Sequence, residues 1–174
     1  MVYNHKMDWY YDDLVDWIQN GCNEEIKQQV HTLNISKGNF SQIPPEVFLL
    51  TNLFELDCSV NNLTEIPIEI EHLKNLEIFK CDHNRLEKLP DELAKLTKLK
   101  TLICASNQIS GISEQLKKLT FKLNYFDGID NNFFSFLLSS KFSFFNGFLN
   151  MSHRFSFGFS FQTFNKLLFS FFSR

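Results

Sequence analysis

The amino-acid sequence predicts an α/β solenoid, a short arc with one parallel strand per repeat and a helical or 3₁₀ segment on its convex side. Three observations carry that prediction. LFELDCSVNNLTEIPIEIEHLKN, LEIFKCDHNRLEKLPDELAKLTK and LKTLICASNQISGISEQLKKLTF follow one another from Leu53 and align without a gap, at a period of 23 residues. Self-similarity at such a period marks one supersecondary unit stacked on copies of itself. The apolar spacing changes inside each unit: Leu56 and Cys58 alternate as in a short strand with one buried face, whereas Leu89, Leu93 and Leu96 are spaced as on a helical turn. Finally, an asparagine recurs where each strand ends, at Asn61, Asn84 and Asn107. There the chain bends away from the pleat and leaves backbone groups unpaired, and an amide side chain offers both a donor and an acceptor to satisfy them.

Residues 1–29 lie outside the repeat and predict an N-terminal helical cap. Leu14, Trp17 and Ile18, then Ile26 and Val30, fall at helical spacings, with Gly21 as a stop and Asn23 before Glu24 and Glu25 as a new start. The cap covers the first repeat, since the end of a solenoid otherwise presents core residues to water. Trp9, Tyr10, Tyr11 and Trp17 are read chiefly as packing of this cap, with a contact site as the alternative.

Residues 30–133 hold the repeats, four clear and a fifth degenerate. With Leu53 as position one of its unit, the first unit places Val30, Leu33, Ile35, Phe40, Ile43, Val47 and Leu50 inward, but Gly38 stands where the asparagine belongs. Pro44, Pro67 and Pro90 follow the branched residue at position fourteen, where a fixed φ starts a convex turn; Ser113 breaks that column. After Leu119 the register slips by one residue, and Leu123, Phe126, Asn131 and Phe133 restore the spacing with Gly128 at the sixth position. Cys58, Cys81 and Cys104 share that sixth position in successive units. On strands about 4.8 Å apart they form a buried ladder of thiols acting as small apolar residues. A metal column lacks any CxxC or histidine pattern, so no metal and no cofactor is expected.

From residue 134 to 174 the composition changes, with 14 of the chain's 21 phenylalanines, many serines and no repeat spacing. Three readings stand open for this tail: aberrant translation of pyrimidine-rich DNA, which leads; an unusual hydrophobic cap; or attachment to a membrane, against which Lys141, Asn146 and the serines interrupt every apolar window.

The LxxLxLxxNxL form, continued by IPxEIxxLxxL, resembles the leucine-rich repeat family, in its intracellular signalling-scaffold branch. Cysteine within the strand is also similar to repeats from bacteria and large viruses of protists. In this family the strands line a concave surface, and the outward positions three, five, seven and eight touch a protein partner. Carried onto this chain, the partner-binding residues are Glu55, Asp57, Ile78, Lys80, Asp82, His83, Thr101, Ile103 and Tyr125. Ser59 and Val60 occupy the same outward positions, and Ile78, Ile103, Tyr125 and Ile129 form an apolar group on an otherwise polar face. The resemblance implies a non-catalytic protein-interaction module binding a peptide or loop of a partner; the alternative is a membrane-attached adaptor using the Phe-rich tail.

Charge and motifs narrow the function classes. The last acidic residue is Asp130, so the first 130 residues carry all 20 acidic groups against 13 basic ones. That balance disfavours a nucleic-acid partner. The sequence has no phosphate loop, no GxSxG and no Cys–His arrangement, so no catalytic residues are expected. MVYNHKMDWYYDD contains no apolar run of the kind that starts a secretion signal. A reducing, cytoplasmic setting and a monomeric state are the corresponding expectations.

Overall fold

The computed structural model describes residues 7–120 and 122–132. Phe133 and the Phe/Ser-rich tail, and the expectations attached to them, lie outside the described residues. In chain order the elements are β1 (Met7–Tyr10), α1 (Tyr11–Gln19), α2 (Glu24–Lys27), β2 (Val30–Asn34), the 3₁₀ segment η1 (Pro45–Leu49), β3 (Glu55–Asp57), η2 (Ile68–His72), β4 (Ile78–Lys80), η3 (Asp91–Lys95), β5 (Thr101–Ile103), α3 (Glu114–Thr120) and β6 (Tyr125–Asp127). The six strands form one parallel sheet in sequence order. Their register is that of the repeat, with Leu33, Leu56, Phe79, Leu102 and Phe126 aligned across β2 to β6.

A single continuous core runs from Trp9 to Phe126 between the sheet and the convex segments. Cys58, Cys81 and Cys104 are fully buried within it. Burial pushes all three thiols well above their ordinary titration range, and nearby carboxylates add to the shift.

The asparagine row closes each unit onto the one before. The Asn61 amide donates to the carbonyls of Ile35 at 2.9 Å, Cys58 at 3.0 Å and Ser59 at 3.3 Å, and its oxygen accepts the Phe40 N–H at 3.0 Å. Asn84 repeats the pattern on Cys58, Cys81, Asp82 and Leu63, and Asn107 on Cys81, Cys104, Ala105 and Leu86. Asn131 does the same for the fifth unit, accepting the Ile109 N–H at 3.0 Å. The degenerate fifth unit is therefore a true rung. In the first unit, Gly38 leaves its side of the row to an aromatic ring: a Cβ there would lie 2.1 Å from Phe40 Cε2. Tyr11 of α1 packs edge-on against that ring, with centroids 5.0 Å apart.

The convex side shows what the proline column does. The carbonyls of Pro44, Pro67 and Pro90 accept the N–H groups of Val47, Ile70 and Leu93 at 3.0, 3.2 and 3.2 Å, opening three 3₁₀ turns of five residues each. Ser113 starts an α-helix instead, its hydroxyl accepting the Leu116 N–H at 3.2 Å. The seven residues of α3 span about 10 Å, as do five residues of 3₁₀ helix. That is how the longer fourth unit fits its neighbours without breaking the sheet.

The N-terminal segment contains α1 and α2, as the helical spacing implies, together with the unanticipated edge strand β1. Trp9 of β1 points into the core and meets Trp17 of α1 edge-to-face at 5.7 Å, while the Trp17 indole N–H donates to the Asn23 carbonyl at 3.0 Å. These two tryptophans are cap packing. Tyr10 and Tyr11 are exposed.

Candidate functional site

A parallel strand aims alternate side chains at opposite faces, so the register that buries position four brings positions three and five out together. The first outward row is Thr32, Glu55, Ile78, Thr101 and Tyr125, and the second is Asn34, Asp57, Lys80, Ile103 and Asp127. All ten side chains are half-buried by their neighbours in the rows. β1 lengthens both rows, since Asp8 pairs with Thr32 and Tyr10 with Asn34. Asp8 and Tyr10 are the outward residues that the repeat pattern misses. The Asp8 carboxylate accepts the Thr32 hydroxyl at 2.6 Å.

Beyond the strands the ladder continues through His83 N–H to Ala105 at 3.0 Å and Ser106 N–H to Ile129 at 2.8 Å. This makes a third row of Ser36, Ser59, Asp82, Ala105 and Ile129 along the strand exits. Ser59 departs from its expected role as a contact residue, because its hydroxyl donates to Asp57 Oδ1 at 2.6 Å and the residue is buried. The fourth row turns outward through left-handed backbone at Lys37, Val60, His83, Ser106 and Asp130, with φ between 52° and 60°.

The charges are arranged around Lys80. Its ammonium donates to Glu55 Oε1 at 2.6 Å and lies 3.8 Å from Asp57 Oδ2. The bond to Glu55 raises the lysine above its ordinary value, with the Asp57 and Asp82 carboxylates adding to it. Asp82 holds His83 Nδ1 at 2.8 Å, with His83 itself exposed. At the far end, partial burial and the Asp127 carboxylate raise the Tyr125 phenol. The structure thus brings Glu55, Asp57, Lys80 and Asp82 together on β3 and β4. Ile78, Thr101, Ile103 and Tyr125 lie together on β4 to β6.

A shallow groove on the opposite, strand-entry side is lined by His31, Asn52, Phe54, Asn75, Glu77 and Lys98. Its polar groups tie one unit to the next, as when Asn75 donates to the Thr51 carbonyl at 3.1 Å and Lys98 to Asn75 Oδ1 at 2.7 Å. Among the described residues no helix is long and apolar enough to cross a membrane, and no cluster of three or more His, Cys, Asp or Glu side chains is placed to hold a metal ion.

A family model described as leucine rich repeat matches residues 28–86. No curated protein matches the chain. Among solved structures, a leucine-rich repeat protein of Leptospira interrogans is similar at a TM-score of 0.51 and 26% identity, covering 63% of this chain and 34% of that one. The plant peptide hormone receptor RGFR1, solved in complex with RGF2, is similar at a TM-score of 0.52 and 31% identity, covering 60% of this chain and 17% of the receptor. The chain therefore matches about a third of the first protein's length and about a sixth of the second's.

Proposed function

We propose, from the premise that this chain belongs to the leucine-rich repeat family, that it is a non-catalytic protein-interaction module whose concave face takes an extended peptide or a loop of its partner. Leucine-rich repeat domains generally mediate protein–protein interaction, and the similar receptor is itself solved with RGF2 bound. The observation that carries the reading is the outward face of the sheet, where Ile78, Ile103 and Tyr125 stand among polar side chains with no core to join. Large apolar groups in such a setting are what a partner covers.

Size favours a peptide or loop over a globular surface. Six strands at about 4.8 Å, each offering about four residues of about 3.3 Å, give roughly 29 by 13 Å, or about 400 Å². A standard interface takes about 800 Å² from each partner. The reading also places the protein in a reducing compartment such as the cytoplasm, where its unpaired cysteines stay as thiols.

The test compares capture of partners from a cell lysate by the full chain and by its Ile103→Asp variant, with thermal melting as the control for folding. A partner held by the parent and lost by an equally stable variant supports the concave site. Equal capture by both would place binding elsewhere on the molecule.

A further inference from the structure

The concave face is acidic as well as partly apolar. Its rows carry Asp8, Glu55, Asp57, Asp82, Asp127 and Asp130 against only Lys37 and Lys80. Lys80 is already engaged by Glu55 at 2.6 Å. Among the described residues neither Asp82 nor Asp127 forms an ion pair with a lysine or arginine; Asp82 meets His83, and Asp127 Oδ1 accepts the Ile129 N–H at 3.1 Å. Between these two aspartates lies the apolar part of the face. Ile103 stands between Lys80 and Asp127 in the second row, and Ala105, with the shortest side chain of the third row, stands between Asp82 and Ile129. A side chain laid over Ala105 would have an apolar floor, with the Asp82 carboxylate beside it in the third row and Asp127 one row away, next to Ile103.

We propose that the segment bound here is cationic: an extended peptide that rests apolar side chains on Ile78, Ile103 and Tyr125 and brings arginine or lysine to Asp82 and Asp127. This rests on the concave-face reading above and adds the chemistry of the ligand to it. Charge complementarity selects this occupant over the others. A second copy of the chain would set the same carboxylates against each other, and nucleic acid or an acidic peptide would meet the same repulsion. Arginine suits the site best, because its planar guanidinium binds carboxylates in pairs and lies flat on aromatic faces such as Tyr125.

The experiment immobilises the full 174-residue chain on a soluble carrier and selects binders from a random-peptide library. The structure supplies mild variants. Asn34 accepts the Ser36 N–H at 2.9 Å just as Asp127 accepts that of Ile129, so Asp127→Asn removes charge while keeping the turn; Asp82→Asn is its companion. Peptides that interleave arginine or lysine with apolar residues should be enriched. Their affinity should fall roughly tenfold in the Asp82→Asn/Asp127→Asn double variant, with a shallower salt dependence than the parent. Enrichment of neutral or acidic peptides that still lose binding in Ile103→Ser would overturn the cationic inference and leave the concave site standing. No enrichment, or enriched peptides indifferent to all three substitutions, would overturn both.

Discussion

At the scale of single residues, the asparagine column is the clearest case of chemistry readable in sequence. A donor–acceptor side chain recurring at the strand exit has one good reason to be there, and Asn61, Asn84, Asn107 and Asn131 all meet it. Removing Asn84 leaves the buried Leu63 N–H without its acceptor, while the Cys58 and Cys81 carbonyls lose one amide donor and keep another, from Asn61 and Asn107. With an unpaired buried group costing about 1–3 kcal/mol, Asn84→Ala is expected to destabilise by roughly 1–3 kcal/mol in urea titration. A loss below about 1 kcal/mol would mean that water replaces the amide. Val60 shows what periodicity cannot reveal. It marks an outward position in the sequence, but only the fold shows that this position needs left-handed backbone, at φ 55°. A β-branched side chain is strained there, and Val60 is 44% exposed, so core packing does not compensate. Val60→Asn should stabilise by roughly 0.5–1 kcal/mol; a lowered melting temperature would show that the valine makes a contact of greater worth. Gly38 was legible only as a departure from the column. Its reason, the Phe40 ring held by Tyr11, involves a residue far away in sequence.

At the scale of elements, strands spaced by the repeat were legible because one inward side chain per two residues survives even in three-residue strands. β1 was not. Met7 and Trp9 alternate with Asp8 and Tyr10, but four residues outside the repeat carry too little pattern to separate a strand from the start of the helix that follows. With it went one strand's share of the candidate site, Asp8 and Tyr10. The thiol ladder, by contrast, was readable as an element spanning β3 to β5, and it sets a pH limit. Burial raises the folded-state values of Cys58, Cys81 and Cys104 above their ordinary value of 9.0. Below that value both folded and unfolded thiols are neutral and stability is unaffected. Above it the unfolded chain ionises while the folded one does not, so stability falls as pH rises. Three such groups give a slope of about 4 kcal/mol per pH unit. Denaturant titrations between neutral pH and pH about 10 should show this loss, and Cys81→Val should reduce its slope by about a third. The same burial predicts that these thiols resist alkylation in the folded protein and react after denaturation. Rapid labelling of all three under native conditions would refute the ladder.

At the scale of the whole molecule, the fold class followed from repetition, while the identity of a partner did not, because outward residues are free of the constraint that makes the core periodic. Repetition also dictates how the molecule should come apart. In a stacked array each unit packs only on its neighbours, so the worth of a side chain depends on how many units it ties together. Among the described residues Phe79 is the largest fully buried side chain, and it sits on β4, in the middle of the sheet, between Leu56 and Leu102. Trp9 sits on β1, which pairs with β2 alone and with a register shift between Met7 and Asp8. Truncating a large buried aromatic side chain costs about 3–5 kcal/mol wherever it is made, but the two losses should be felt over different distances. Phe79→Ala is expected to lower hydrogen-exchange protection from β3 through β5 together, because the stacking on both sides passes through it. Trp9→Ala should open β1 and α1 and leave β3 to β5 protected, since sub-global opening follows the units that share contacts. If Trp9→Ala instead exposes β4 and β5, the N-terminal cap is part of one cooperative unit with the repeats, and the array behaves as a single globule despite its repeating form.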